Sequence, residues 1–248
     1  MKLLENTKLE SIATFLSNNA RDFNLDLRIE SYSCKMVNSD KREWKKTKDS
    51  ANELQPLSPS EEFDFPPLLS RSLNSSPYSH MNLSVYRNRH MSDRSSGSEN
   101  DFEENGCMGS DMVRAISRRT LFDLIAVLNL SYQDYEFSQT KSESFALVTT
   151  IEDVKSKVDI QLSPTVSGYS RIRDQLWKMI DDEIKCNECQ IYRYIPGYND
   201  DPFTEDGCIW SFNYFFWNKN LKRCLFFSCR ALSLINLDSS GDLWGMEQ

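Results

Sequence analysis

The segment Cys208–Arg230 constrains the fold of this chain more than any other part of the sequence. It reads CIWSFNYFFWNKNLKRCLFFSCR and contains eight aromatic residues. A short polar stretch, Asn218–Asn220, divides it, and asparagine accepts turn geometry readily. Because aromatic side chains fit the half-buried surface of a pleated strand, the segment is predicted to form a β-hairpin.

Both faces of this hairpin carry large rings. A hairpin of this kind is expected at the centre of a sheet, with both of its faces covered. If the rings were exposed they would instead stack on bases, so an RNA-binding module that uses residues 208–230 is the alternative interpretation. Strand alternation gives one face with Trp210, Phe212, Tyr214 and Phe216 and another with Ser211, Asn213, Phe215 and Trp217.

Several ordered motifs resemble those of one known family. The segment Trp210–Arg223, followed by Phe226–Arg230, resembles the signature of the Maf-type global repressors of RNA polymerase III transcription. Other motifs occur in the order found in that family. They are MKLLEN (Met1–Asn6), RIESYSCKM (Arg28–Met36), RRTLFDLIAVLN (Arg118–Asn129), LWKMIDDEI (Leu176–Ile184) and IYRYIPGYNDDPFTEDG (Ile191–Gly207).

This resemblance implies a fold, a function and a set of partners. The fold would be a central antiparallel sheet flanked by helices, with its first strand contributed from before the middle of the chain. The function would be negative regulation of RNA polymerase III transcription, in which binding to the polymerase blocks its recruitment by the TBP-containing initiation factor. Nutrient-signalling kinases would weaken this repression, and the protein would shuttle between nucleus and cytoplasm with its phosphorylation.

Periodicity outside the hairpin predicts the same fold class. Thr7 and Glu10 have the spacing of a capping box for a helix through Asn18, and apolar alternation over Leu25–Lys35 predicts a strand. The class is α+β, a single domain with a mostly antiparallel sheet of about four strands flanked by helices. Further helices are predicted from Ser117 or Thr120, over Phe145–Val158 and over Ile172–Ile184, and a strand over Cys189–Ile195.

The middle of the chain differs in composition. Residues 49–112 hold eleven acids and four bases, which accounts for seven of the eight net negative charges. Since low hydrophobicity with excess charge does not offset the entropy of ordering, residues 37–112 are predicted to be a disordered regulatory insertion. Residues 1–36 and 113–237 would form one repressor domain, and residues 238–248 a flexible tail. This near-neutral domain favours protein partners over direct nucleic-acid binding.

The sequence offers no recognisable catalytic machinery. Nucleotide-binding, hydrolase and metalloprotease motifs are lacking, and both histidines, His80 and His90, fall in the predicted insertion. Cys186 and Cys189 have the spacing of half a zinc site without a second half, so they are expected to be structural thiols. No segment approaches the roughly 20 apolar residues of a membrane span. We expect a protein that is not an enzyme and needs no cofactor or metal.

Two charged clusters are candidate binding sites. A basic cluster follows the RIESYSCKM motif and is equally consistent with a solvated segment and a nuclear-import signal: Lys41, Arg42, Lys45, Lys46 and Lys48. The acidic loop before the hairpin and the basic pair within it are candidate partner-binding residues, although a solvated turn is the alternative for the loop. These residues are Asp200, Asp201, Glu205, Asp206, Lys222 and Arg223.

Three serines are candidate phosphorylation sites. Ser58 and Ser76 each precede a proline, as proline-directed kinases require. Ser92 follows Arg87 and Arg89 at the spacing that basophilic kinases recognise. Because a phosphate adds about −1.5 to −2 charge, phosphorylation of the insertion is expected to be the regulatory switch.

Overall fold

The computed structural model describes residues 1–46, 54–59, 114–197 and 200–234. The strands are β1 (Lys2–Leu4), β2 (Asn24–Ser33), β3 (Leu54–Pro56), β4 (Ala115–Ser117), β5 (Phe145–Val148), β6 (Gln190–Tyr194), β7 (Cys208–Asn218) and β8 (Arg223–Leu232). The α-helices in these ranges are α1 (Thr7–Asn18), α2 (Asn38–Lys46), α3 (Arg118–Ser131), α4 (Ile151–Thr165) and α5 (Tyr169–Ile184). Six strands form one antiparallel sheet in the order β1-β2-β8-β7-β6-β5, and β3 pairs with β4 in a second sheet.

The predicted hairpin lies at the centre of the large sheet. β7 and β8 pair from Cys208 opposite Leu232 to Asn218 opposite Arg223. Rings on both faces are inaccessible to solvent: Phe215, Phe216, Phe226 and Phe227 are all 0% exposed. The central, doubly covered hairpin is therefore confirmed, and these rings are not available to stack on nucleic-acid bases.

Helices cover both faces of the sheet. On one face α1, α4 and α5 bury a cluster that includes Leu16, Val158 and Phe227. On the other face α3 and the segments around β3 and β4 bury a second cluster around Leu124 and Phe226. The α+β class is confirmed, and the sheet has six strands because β1 and β5, of three and four residues, extend its edges. Strands this short give little periodic signal in the sequence.

Local sequence chemistry explains where the helices begin. Of the two predicted caps, Ser117 rather than Thr120 caps α3, by accepting a hydrogen bond from the Thr120 amide. The helix predicted over Phe145–Val158 is wrong in its first part, because residues 145–148 form β5 and a capping box of Thr150 with Asp153 starts α4. At α1 the cap is Asn6 rather than Thr7. The side-chain oxygen of Asn6 accepts hydrogen bonds from the backbone amides of Lys8 and Leu9.

Part of the predicted insertion is ordered. The expectation of disorder over residues 37–112 does not hold for α2 or for the segment at β3. Pro56 lies opposite Ala115, and buried Leu57 donates its amide to the Arg114 carbonyl at 2.8 Å. Such short segments gain stability from tertiary contacts that composition does not reveal. Residues 60–113 and the predicted tail 238–248 lie outside the described residues.

The pairing of β3 with β4 brings the two ends of the segment 60–113 together. We predict that replacing residues 60–113 with a short Gly-Ser linker preserves cooperative unfolding, because no described core residue is lost. Deleting residues 49–112 also removes β3 and Leu57, and should lower the free energy of unfolding by about 2–5 kcal/mol, the range for a lost buried leucine.

Urea denaturation followed by tryptophan fluorescence compares the two deletions. Equal free energies of unfolding in both variants would contradict the stabilising role that we give to β3 and Leu57.

Candidate protein-interaction surfaces

The candidate partner-binding clusters lie at opposite ends of the hairpin. The acidic loop 200–207 leads directly into the start of β7, whereas Lys222 and Arg223 follow the turn at its far end. Since a strand rises about 3.3 Å per residue, the length of β7 separates the two clusters by about 33 Å. The structure therefore does not bring these predicted site residues together, and each cluster would meet a different part of a partner.

Within the acidic loop, Asp201 is a structural residue. Its side chain is 5% exposed and accepts hydrogen bonds from the Tyr194 hydroxyl at 2.5 Å, the Gly197 amide at 3.1 Å and the Phe203 amide at 2.9 Å. Burial raises the pKa of Tyr194, and its bond to Asp201 adds to that shift. The prediction of Asp201 as a docking residue is corrected: it holds the loop together. Exposed carboxylates remain at Asp200, Glu205 and Asp206.

An ion-pair network anchors this loop to the sheet. Arg230 on β8 contacts Glu205 of the loop at 3.1 Å and Asp26 of β2 at 2.7 Å. Arg28 also pairs with Asp26 at 3.1 Å, and the two guanidinium groups lie 4.4 and 5.2 Å from the centre of the Tyr132 ring. Burial disfavours ionisation of Asp26, but both arginines outweigh it and lower its pKa. Sequence reasoning missed this network, since its members are far apart in the chain.

At the opposite end, Lys222 and Arg223 have different roles. Lys222 is exposed, and its positive φ of 52° closes the turn. Its carbonyl accepts a hydrogen bond from the Cys34 amide at 2.9 Å. Arg223 instead pairs with Glu183 near the end of α5 at 2.9 Å, so it ties the hairpin to the helical layer. Lys222 thus has the charge that faces solvent.

The predicted import signal begins on α2. The Met1 amine forms an ion pair with Asp40, which fixes the start of the helix next to β1. Lys41 and Arg42 are exposed. Lys45 and Lys46 belong to the same helix, and Lys48 lies outside the described residues.

Trp44 fixes α2 against α3, and sequence reasoning missed it. Its ring meets that of Phe122 edge-on, with 5.4 Å between the ring centroids. The guanidinium groups of Arg118 and Arg119 lie 5.2 and 6.0 Å from the centre of the Trp44 ring. A tryptophan within an otherwise charged segment was the available signal that this segment packs against the domain.

Asp123 is a buried carboxylate beneath the same region. It is 3% exposed, pairs with Arg119 at 3.1 Å and accepts a hydrogen bond from Trp217 Nε1 at 3.4 Å. Burial raises the pKa of Asp123 to about 6, although Arg119 and Trp217 favour its charged form. This group links α3 to the hairpin.

Of the predicted phosphorylation sites, only Ser58 is among the described residues; Ser76 and Ser92 lie outside them. Ser58 is half-buried, donates its amide to the Phe145 carbonyl at 2.9 Å and forms a bridge to Ala146. A kinase would have to release this segment from β5 before it could bind the serine. Ser58 is therefore a poorer acceptor than its Ser-Pro motif suggests.

The cysteine pair occupies a 3₁₀ turn after α5. Cys186 is buried, and the Cys189 thiol donates to the Ile184 carbonyl at 3.5 Å. Burial raises the pKa of both thiols to about 12, so they are held protonated.

Across the described ranges, no group of three or more His, Cys, Asp or Glu side chains could hold a metal ion. In the same ranges, every helix is too short or too polar to span a bilayer.

Both faces of the large sheet are buried, and the charged clusters lie at the two ends of its central hairpin. The model of the Maf1 regulator family matches residues 25–228, which is most of the chain. The chain therefore belongs to the Maf1 regulator family, and the resemblance of its motifs is confirmed.

Relatives agree with this assignment. A Schizosaccharomyces pombe protein named repressor of RNA polymerase III transcription maf1 is 30% identical over 233 residues, which cover 94% of this chain and 83% of that protein. A Dictyostelium discoideum repressor of RNA polymerase III transcription is 39% identical over 127 residues, 51% of this chain and 45% of that protein. In that match the chain spans less than half of its relative. The crystal structure of citrus MAF1 has a TM-score of 0.54 at 25% identity, covering 91% of this chain and 98% of that chain.

The buried Asp123 gives a testable pH dependence. Its pKa of about 6 in the folded state exceeds the usual 3.8, so the folded state binds the proton more tightly, and ionisation as the pH rises lowers the free energy of unfolding. The Asp123→Asn variant cannot ionise, so it does not lose this stability as the pH rises. The difference in free energy of unfolding, variant minus parent, should therefore increase by about 2–3 kcal/mol between pH 4 and pH 7.

Chemical denaturation at both pH values measures this difference. Asp174→Asn is the matched control, because that side chain is 93% exposed. A difference for Asp123→Asn that does not change with pH would contradict the raised pKa.

Proposed function

We propose that this chain represses RNA polymerase III transcription by binding the polymerase and blocking its recruitment by the TBP-containing initiation factor. The family match over residues 25–228 is the observation that carries the proposal. The names of the fission yeast and Dictyostelium relatives support it. Repression acts through protein binding, without catalysis and without a cofactor.

Two distant charged ends favour contact with more than one part of the polymerase. Asp200 and Asp206 suit a basic surface, while Lys222, Lys41 and Arg42 suit an acidic one. The Debye length at physiological ionic strength is about 8 Å, so ends separated by about 33 Å act independently. A ligand held at both ends covers a long polymerase surface, which would exclude an initiation factor that needs the same surface.

An order-of-addition transcription assay tests the proposal. With purified polymerase, the TBP-containing factor and a template that this polymerase transcribes, the chain should inhibit when it meets the polymerase first. Added after the polymerase has joined the initiation factor on DNA, it should inhibit much less. Equal inhibition in both orders would contradict a block at recruitment.

Charge reversal at the two ends gives a second prediction. Asp206→Lys and Lys222→Glu should each weaken binding to the polymerase by about 3- to 10-fold, since single interface charges contribute on the order of 1 kcal/mol. In the double variant the affinity should fall by the product of the two single-variant factors, because the two sites are too far apart to couple.

Binding is measured by surface plasmon resonance with immobilised polymerase. Asp174→Lys on α5 and Lys157→Glu on α4 are the matched controls, because both residues are exposed on helices that cover one face of the sheet. If the controls weaken binding as much as the reversals at the ends, the assignment of these surfaces is incorrect.

Regulation acts through nutrient-dependent phosphorylation. Ser76 and Ser92 are the main acceptors in this proposal, with Ser58 a minor one because its backbone is bonded to β5. Each phosphate adds about −1.5 to −2 charge to a segment that leaves the domain through β3 and returns through β4, and this charge competes for the basic residues of α2. Phosphorylation thereby weakens polymerase binding and masks the import signal, which moves the protein from nucleus to cytoplasm.

Replacing all three serines tests the switch. The Ser58→Ala, Ser76→Ala, Ser92→Ala protein should remain nuclear and repressive in rich medium, whereas Ser58→Ala alone should behave like the parent. Fluorescence microscopy and transcript levels measure both effects. Cytoplasmic accumulation of the triple variant in rich medium would show that the switch lies at other residues.

A further inference from the structure

A groove with a volume of about 710 Å³ lies along the outer face of α3. Phe122, Ile125 and Ala126 contribute its apolar floor. Trp44 of α2, Pro56 of β3 and residues 138–143 border it. All of these segments belong to the folded domain around the large sheet, so the groove is a feature of that domain alone.

The floor of the groove is a second apolar stripe on α3. Residues 122, 125 and 126 are three and four positions apart, so their side chains share one side of the helix. They are half-exposed, whereas Leu124 and Leu128 on the opposite side are 0% exposed and pack on the sheet. A helix with apolar residues on both sides has more apolar surface than the sheet covers.

The border of the groove is already in place. The edge-on contact of Trp44 with Phe122 and the guanidinium of Arg118 over the Trp44 ring hold α2 beside α3. From Arg118 to Asn129 the floor is about 17 Å long at 1.5 Å per residue, which equals three turns of an α-helix. Because the side chains of the groove already have their positions, binding a ligand there costs little conformational entropy on the protein side.

The border is also positively charged. Arg118 and Lys141 line the groove, and exposed Lys41 and Arg42 extend from the same helix as Trp44. None of the ion pairs among the described residues involves Arg118 or Lys141. Glu143 is the single acid lining the groove within these residues.

We infer that the α3 groove binds an acidic amphipathic peptide segment of a partner protein. Its aromatic or aliphatic side chains would lie on Phe122 and Ile125, with carboxylates at Arg118 and Lys141. Amphipathic helices dock in this way, with anchors spaced at i, i+3 or i+4, and i+7. The site goes beyond the proposed repression, since that proposal does not use the apolar floor, Arg118 or Lys141; only Lys41 and Arg42 are near both surfaces.

Fluorescence anisotropy with the full chain tests this inference. The probe is a labelled three-turn helical peptide with leucine and phenylalanine at i, i+4 and i+7 and glutamate at the other positions. We expect saturable binding that falls about tenfold when glutamine replaces the glutamates, and that weakens as salt is added.

Variants locate the site. Ile125→Asp should weaken binding at least about tenfold, because it removes an apolar contact and puts a negative charge, the same sign as the peptide's, on the apolar floor. Ile160→Asp is the matched control: this isoleucine of α4 is 67% exposed and distant from the groove, so binding should not change. The double variant Arg118→Glu, Lys141→Glu should no longer bind the acidic peptide. It should instead bind the same peptide with lysine in place of glutamate. Circular dichroism melts establish that each variant remains folded.

Three outcomes would overturn the inference. If the full chain shows no saturable binding at about 1 mM, the groove is not open to such a partner. If the glutamine peptide binds as well as the acidic one, the basic border does not select the ligand. If the parent dimerises in sedimentation and Ile125→Asp abolishes the dimer, a second copy covers the groove instead.

Discussion

Burial of aromatic rings on both faces of the β7–β8 hairpin is the constraint from which the rest of the structure follows. Phe215 and Phe226 pack with ring centroids 4.6 Å apart on one face, and Phe212 and Phe227 pack 5.1 Å apart on the other. Rings on both sides require a covering layer on both sides, which α3 provides on one and α1, α4 and α5 on the other. With both faces covered, the ends of the sheet and the outer helix surfaces are what the domain offers to partners.

The parts that sequence predicted well are those with a strong local signal. The alternation from Trp210 to Trp217 predicted both faces of the hairpin, and Ser117, one of the two candidate caps, is the residue that starts α3. Elements that depend on distant contacts were missed. The helix α2 depends on Trp44 meeting Phe122, and β3 depends on β4, so neither has a local signal that outweighs its polar composition.

The same distinction applies to the candidate sites. Clustered charge located both ends of the hairpin, but charge alone does not separate exposed Asp206 from Asp201, which accepts three hydrogen bonds inside its loop. Arg223 likewise has a structural partner in Glu183, whereas its neighbour Lys222 faces solvent. The chain belongs to the Maf1 regulator family, and the geometry shows which charges of these clusters are exposed and which have partners within the domain.

The short β3–β4 ladder affects how this domain can change over evolution. It joins the two points where the segment 60–113 leaves and re-enters the domain, so in terms of loop-closure entropy alone a change in the length of that segment has a small effect on folding. Doubling the length of a flexible loop costs only about 0.6 kcal/mol. As far as closure entropy is concerned, insertions and deletions between residues 60 and 113 therefore meet little selection from stability. The ladder thus separates the length of the chain between β3 and β4 from the geometry of the domain on which both strands lie.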